Sequence, residues 1–171
     1  MKLWSIGHST HGLDELVDLL SEHGIGALVD IRTVPKSRRH PHFRSDALAL
    51  SLPERGIAYT HMPRLGGFRR PRADSPNAGW RNESFRGYAD YAMTEEFAAG
   101  LAELRRIAEA ERTAMMCSEA LWWRCHRRLV ADRLVVAGAT VLHIGADGRA
   151  AEHELMPIAR VSGDGQITYP G

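Results

Sequence analysis

The stretch Ala27-Leu-Val-Asp-Ile31 is short and almost continuously apolar. Such a run is typical of a strand that is buried on both faces of a parallel sheet. Before it, residues 12–23 carry apolar side chains at helical spacing, and Gly24 provides a helix-end signal. A helix followed directly by a buried strand is the arrangement expected of an α/β protein.

Strand-like and helix-like segments alternate along most of the chain. Further strands are predicted at residues 3–8, 57–62, 113–117 and 140–144, and further helices at 45–55, around 85–92 and 97–108, and at 126–137. We therefore predict one α/β domain over residues 1–171, a three-layer sandwich with a mainly parallel sheet of about five strands. The Asp164-Gly165 pair also predicts a C-terminal hairpin between residues 158–161 and 166–169.

Composition excludes several classes of protein. The chain has 171 residues, of which 44% are hydrophobic and 25% are charged, and its net charge is +1. These proportions are globular and argue against a disordered chain. No apolar run has the length of a membrane helix, and residues 1–8 do not resemble a signal peptide, so we expect a cytoplasmic protein with no membrane partner. In that reducing compartment the two cysteines are expected to be free thiols.

The small net charge hides three basic stretches, at residues 32–44, 64–72 and 124–133. Nearly all of their cations are arginines, whose planar fork suits phosphate or carboxylate groups. A codon bias towards arginine would explain the same composition. The sequence therefore predicts a local anion site and not a uniformly basic nucleic-acid surface.

Polar residues also follow the predicted strands at their carboxyl ends. In an open parallel sheet, ligands bind just outside these ends. The residues concerned are His8 and Ser9, Asp30 and Arg32, His61, Cys117 and Glu119, and His143. We expect them to meet at one edge of the molecule.

The two cysteines have different sequence surroundings. Cys117 ends an apolar strand and reads most simply as a small buried side chain. Cys125 is followed by His126-Arg127-Arg128 at a predicted helix start, a setting that lowers the pKa of a thiol and collects anions. Its alternative role is a helix residue that packs beside Trp122.

The sequence does not match the known motifs for binding a metal ion or a nucleotide well. Cys117, Cys125 and His126, with His8 or His61, could supply zinc ligands, but their spacing is not that of a zinc ribbon or finger. No metal-ligating residue is therefore predicted, the cofactor is unknown, and zinc is left open. The dinucleotide fingerprint, the phosphate-binding lysine loop and the serine nucleophile elbow are all missing from the sequence.

A set of motifs in fixed order does resemble a known family. The motifs are Gly7-His8-Ser9-Thr10, Leu28-Val29-Asp30-Ile31-Arg32 with Pro35 and Ser37, Tyr59, Leu65-Gly66-Gly67, Phe85-x-x-Tyr88, Cys117-Ser118-Glu119 and Cys125-His126-Arg127. The chain resembles the bacterial and archaeal family catalogued as domain of unknown function 488 over about residues 2–145, with His153 and Tyr169-Pro170 in a short tail. The resemblance implies a single α/β domain and no established reaction.

The first functional hypothesis is a thiol-dependent enzyme, a hydrolase or transferase, that acts on a small anionic or nucleotide-like substrate. Cys125 or Cys117 would be the nucleophile, with Glu119 and His8 as acid–base groups. The predicted binding residues are Ser9, Asp30, Arg32, Ser37, Gly66, Gly67, Tyr88, His126 and Arg127.

Three alternatives stay open at this point. The first is a nucleotide or nucleic-acid binding protein without catalysis, in which Phe43, Phe68 and Trp80 would stack bases. The second is a metal-dependent hydrolase. The third is a purely structural network in which Asp30 and Glu119 pair with arginines. The sequence does not give the oligomeric state.

Overall fold

A computed structural model describes residues 1–171 in full. Its strands are β1 (Lys2–Gly7), β2 (Ala27–Asp30), β3 (Ala58–His61), β4 (Thr113–Cys117), β5 (Thr140–Ile144), β6 (Ala150–Glu152), β7 (Arg160–Val161) and β8 (Ile167–Thr168). Its α-helices are α1 (Leu13–Glu22), α2 (Ser45–Glu54), α3 (Glu83–Tyr91), α4 (Glu95–Ala110) and α5 (Arg127–Val136). Single 3₁₀ turns cover Pro41–Phe43, Pro63–Leu65 and Trp122–Arg124. None of the helices is both long enough and apolar enough to span a bilayer.

The main sheet has six strands in the order β3-β2-β4-β1-β5-β6. The first five are parallel, and β6 pairs antiparallel with β5 at the edge. The predicted α/β class and mainly parallel sheet are confirmed. The β6 strand was not predicted, because its three residues, Ala-Ala-Glu, are too few to show an apolar pattern. All three are exposed in the structure. The predicted C-terminal hairpin is confirmed as the shorter pair β7-β8.

Alternating side chains of the central strands pack into two apolar layers, one on each face of the sheet. From β1, Trp4 and Ile6 pack with α1 and α2 on one face of the sheet. Leu3 of the same strand packs on the other face, in the layer that contains the buried side chains of α3, α4 and α5. This period of two is the usual consequence of the strand pleat, and it completes the three-layer sandwich.

The topology creates a crevice between β1 and β4. These strands are neighbours, yet β1 leads into α1 on one face and β4 leads into α5 on the opposite face. Where the following helices diverge in this way, the carboxyl ends of the strands are left open for a ligand. Gly7 and Cys117, which are directly opposite in the register, mark that point.

A chain of buried hydrogen bonds ties the C-terminal tail to the sheet and to α5. Ser5 Oγ lies 2.5 Å from His143 Nδ1, His143 Nε2 lies 2.9 Å from His153 Nδ1, and His153 Nε2 lies 2.7 Å from Asp132 Oδ1. The hydroxyl of Tyr169 donates to Asp132 Oδ2 at 2.7 Å. Every donor in this network has an acceptor when both histidines are neutral, so none of the five buried side chains is left with an unpaired donor.

Candidate functional site

A cleft with a volume of about 1080 Å³ lies at the carboxyl ends of the parallel strands. Its position agrees with the edge at which the sequence places the polar residues. The predicted site residues that line it are His8, Ser9, Arg32, Ser37, Gly67, Tyr88, Cys117, Glu119, Cys125 and His126. Three others, Asp30, Gly66 and Arg127, lie behind its wall.

Asp30 and Arg32 form a buried ion pair beneath the cleft. The Arg32 Nε and Nη2 atoms donate to the two carboxylate oxygens of Asp30 at 2.8 and 2.6 Å, and Nη2 also reaches the carbonyl of Phe43 at 2.6 Å. Tyr59 donates its hydroxyl hydrogen to Asp30 at 2.6 Å. The fork of Arg32 that was predicted to clamp substrate is therefore occupied by Asp30, as in the structural alternative.

His8 is held as a neutral ring at the end of β1. Its Nδ1–H donates to the carbonyl of Ser9 at 2.9 Å, so its Nε2 lone pair faces Nη1 of Arg32 at 3.3 Å. Burial and the positive charge of Arg32 outweigh the Ser9 contact, and together they lower the pKa of His8 to about 4. His8 is thus a neutral acceptor at pH 7, and Arg32 already occupies its lone pair.

The two cysteines are joined in a disulfide between the end of β4 and the start of α5. The prediction of two free thiols is therefore wrong for this structure. The physical reason is the path of the loop over residues 118–124, which folds back after β4 and returns Cys125 to the side of Cys117. Both side chains are buried at the floor of the cleft.

Cys125 also contacts an N–H donor and a proton acceptor that would act on its thiol after reduction. Its Sγ accepts the backbone N–H of Arg127 at 3.4 Å, at the amino end of α5. It lies 3.6 Å from Nδ1 of His126, whose Nε2–H donates to the carbonyl of Ile31 at 3.0 Å. Burial lowers the pKa of His126 to about 4, so its Nδ1 lone pair is free to face the sulfur.

Arg127 supports the cleft wall and does not reach the cleft. Its side chain is 1% exposed, and Nη2 donates to the carbonyl of Glu119 at 2.9 Å. Burial lowers its pKa to about 10, and the carboxylate of Glu119 opposes that shift. Glu119 itself caps the loop, because Oε1 accepts the N–H of Leu121 at 3.2 Å. The predicted substrate clamp at Arg127 is thus replaced by a contact that fixes the loop under Glu119.

Gly7 is required by the close approach of that loop to β1. A Cβ at this position would lie 1.8 Å from the carbonyl oxygen of Glu119. We expect Gly7→Ala to displace the loop and to lower the free energy of unfolding by about 3 kcal/mol or more, the upper end of the usual cost of overpacking. Gly163→Ala is the matched control, because a Cβ at Gly163 would meet nothing within 4 Å. Equal urea midpoints for the two variants would contradict this account of Gly7.

The remaining predicted binding residues contact other parts of the chain around the cleft. Gly66 lets the chain pass Thr33, since a Cβ would lie 2.4 Å from Thr33 Oγ1. Tyr88 presents its ring 5.0 Å from the His126 ring and donates its hydroxyl hydrogen to the backbone carbonyl of Leu65 at 2.8 Å. Ser9 has a left-handed backbone, with φ of 47°, and donates its N–H to the Ser118 carbonyl. Ser37 Oγ accepts the N–H of His40 at 2.9 Å, and Gly67 lies against the His126 ring.

Four exposed cations line the cleft without an acidic partner. They are Lys36, Arg38, Arg39 and Arg124, and none takes part in an ion pair. The acid among the lining residues is Glu119. The cations of the second basic stretch do not line the cleft. Two of them are engaged elsewhere, since the Arg69 guanidinium covers the Tyr91 ring and Arg72 pairs with Asp74. The predicted anion site is therefore drawn from the first and third stretches.

The exposed aromatic residues at the cleft agree only in part with the sequence-based expectation. Of the three predicted to stack bases, Phe43 and Trp80 are buried in the core, whereas Phe68 is 92% exposed and lines the cleft. Trp123, which was not singled out, is 45% exposed and also lines it. Its position beside Arg124, in the loop between Cys117 and Cys125, was the available sequence signal. No group of three His, Cys, Asp or Glu side chains is placed to hold a metal ion.

The comparison with known families agrees with the motif pattern. The model of the family described as domain of unknown function DUF488 matches residues 12–134, which is more than half of the chain. The chain belongs to that family. The DUF488 match includes Cys117, Cys125 and the cations of the cleft, but it begins after His8 and ends before β5. No curated protein and no solved structure is detectably similar to the chain.

Proposed function

We propose that this DUF488 protein is a thiol-dependent hydrolase or transferase that acts on a small anionic substrate, with Cys125 as its nucleophile. One observation carries the proposal: Cys125 Sγ lies 3.6 Å from a neutral imidazole nitrogen and 3.4 Å from a helix-terminal N–H, at the floor of a cleft lined by four unpaired cations. A base beside a thiol and a helix amino end are the two usual means of activating a cysteine.

The first step would transfer the thiol proton of Cys125 to Nδ1 of His126. The imidazolium formed keeps both of its N–H groups bonded, one to the sulfur and the other to the Ile31 carbonyl. The sulfur electron pair then forms a bond to the electrophilic atom of the substrate. The leaving group departs with its bonding pair and takes the proton from His126. Water or a second acceptor afterwards breaks the thioester-like or phosphothiol bond and restores the thiol.

The disulfide must be reduced before this chemistry can begin. Two equivalents of a small thiol would supply two electrons and two protons, giving Cys117 and Cys125 as thiols and the small thiol as its disulfide. The cytoplasmic location that we propose provides such reductants. The disulfide form of the structure is then the resting, inactive state of the enzyme.

The test is the pH dependence of Cys125 alkylation in the native Cys117→Ser variant, in which no intramolecular disulfide can form. We expect iodoacetamide to label Cys125 with a midpoint well below pH 7, against about 8.5 for a free thiol. We also expect iodoacetate, an anion, to react faster relative to iodoacetamide in native protein than in urea-unfolded protein, because the cleft is basic. Both rates are read by peptide mass spectrometry.

Two further variants serve as controls for alkylation. His126→Gln removes the proton acceptor and should raise the midpoint, whereas Cys125→Ser leaves Cys117, which lacks both the imidazole and the helix N–H, as the slower thiol. If Cys125 stays inert in folded protein, or titrates near 8.5 with and without His126, the nucleophile proposal is wrong.

Binding without catalysis is the second candidate, and the exposed ring of Phe68 favours it. A protein of this kind would take up anions in the same cleft whether the cysteines are oxidised or reduced. Inorganic pyrophosphate separates the two functions in a calorimetric titration. Binding to both redox forms, combined with an unreactive Cys125, would select the binding protein over the enzyme.

A further inference from the structure

The rim of the cleft carries exposed apolar side chains as well as cations. Six large hydrophobic side chains are exposed in the whole molecule, and three of them, Val34, Phe68 and Trp123, line this one cleft. Scattered exposed apolar residues are normal, but their concentration beside an open polar cleft marks a surface that meets a ligand. Phe68 and Trp123, the aromatic pair of the cleft, therefore favour a ligand with an apolar face.

The loop that carries Phe68 is braced, so the exposure of its ring is built into the fold. Phe68 has a φ of 60°, a left-handed conformation that costs a bulky residue about 1–3 kcal/mol. On its amino side, Thr33 donates its hydroxyl hydrogen to the Gly67 carbonyl at 2.9 Å, and the Arg69 Nε donates to the Gly66 carbonyl at 3.2 Å. The ring gains no packing that would offset this strain within the chain, since it is 92% exposed.

The charges around the aromatic pair complement a phosphorylated ligand. Arg124 directly follows Trp123, and Lys36, Arg38 and Arg39 line the same cleft as Phe68. A volume of about 1080 Å³ exceeds what a single phosphate needs and lies just above the usual range for small-molecule sites. The net charge of +1 favours a small ligand over a long nucleic acid, because the chain as a whole has almost no excess of positive charge to attract a phosphate backbone.

We propose that the cleft binds a mononucleotide, with Phe68 and Trp123 stacking on the base and the cleft cations contacting the phosphates. This inference rests on the proposed function, since it names the substrate class of the same site. A base stacked on an aromatic side chain contributes about 1–3 kcal/mol, and stacking tolerates any base. Purines, with the larger ring faces, are expected to bind more tightly than pyrimidines.

The test is calorimetric titration of the full chain with ADP, GDP, CDP, UDP and inorganic pyrophosphate. We expect each nucleotide to bind at least tenfold more tightly than pyrophosphate. Phe68→Ala and Trp123→Ala should each weaken nucleotide binding by about 5- to 150-fold, the equivalent of the stacking free energy. Both should change pyrophosphate binding less than twofold. Leu50→Ala, at an exposed residue outside the cleft, is the matched control and should leave every Kd unchanged.

The outcomes separate this inference from the proposed function. If pyrophosphate binds and nucleotides bind no more tightly, the anion site stands and the nucleotide inference is wrong. Nucleotide affinity that survives both alanine variants would also overturn it. If neither pyrophosphate nor any nucleotide binds, the anionic substrate of the proposed function fails as well. A single-stranded oligonucleotide that outcompetes mononucleotides, with a steep loss of affinity in salt, would replace the mononucleotide by a nucleic acid.

Discussion

Replacement of Asp132 by alanine is expected to lower the free energy of unfolding by about 2–6 kcal/mol. The carboxylate is fully buried and accepts hydrogen bonds from His153 Nε2 and the Tyr169 hydroxyl, each at 2.7 Å. Without it, two buried donors lose their acceptors, and each such loss costs about 1–3 kcal/mol. Urea unfolding followed by tryptophan fluorescence measures the change.

Two other variants make the Asp132 result specific. Asp18→Ala removes an exposed carboxylate from α1 and should change stability by less than about 0.5 kcal/mol. Tyr169→Phe removes one of the two donors and should cost about 1 kcal/mol, which keeps the test informative if Asp132→Ala does not fold. A loss of under 0.5 kcal/mol in both Asp132→Ala and Tyr169→Phe would show that the buried network does not hold the tail.

Acidification from pH 7 to pH 5 is expected to destabilise the oxidised protein steeply. Burial is the main cause that lowers the pKa of His8 and His126 to about 4 and that of His143 to about 3. In the unfolded chain these groups titrate near 6.5, so the unfolded state binds more protons over the range between. Stability is therefore complete above about pH 6.5 and is lost as the pH falls below it. The slope is up to about 1.4 kcal/mol per pH unit for each histidine.

Urea midpoints at pH 7, 6 and 5 measure this dependence. His126→Gln removes one of the three titrating groups and should reduce the slope by one proton while keeping the sign. A stability that is constant between pH 7 and pH 5, or an unchanged slope in the variant, would mean that these rings are not buried in the neutral form.

The sheet and its polar edge could be predicted from sequence because they depend on local pattern. The apolar segments at residues 27–31 and 113–117 are typical of strands buried inside a parallel sheet. The structure places both of them inside the main sheet, as β2 and β4. Once the sheet is parallel, the carboxyl ends must lie at one edge, so His8 and Cys117 meet across β1 and β4. The exposed edge strand β6 has no such pattern, and its strand conformation depends on pairing with β5.

The arrangement within the cleft could not be predicted, because it depends on where loops travel. The sequence contains Asp30 and Arg32 two positions apart, but only the structure shows that the arginine fork is consumed by that carboxylate. The disulfide likewise requires the loop at 118–124 to fold back over Gly7. Phe68 combines an exposed ring with a left-handed backbone, and a phenylalanine in the sequence indicates neither.

The hydrogen bonds of Tyr169 join the C-terminal tail to the part of the chain that matches the family. Besides Asp132, Tyr169 contacts the loop before α3, where its N–H donates to Asn77 Oδ1 and its carbonyl accepts the Gly79 N–H. Tyr169 itself, and the whole of the central strand β1, lie outside the matched residues 12–134. A fragment cut at the boundaries of the match would thus lack the middle of its sheet and the anchor of α5. The family match describes a region of sequence, whereas the sheet and the hydrogen bonds that hold α5 extend from β1 to Tyr169.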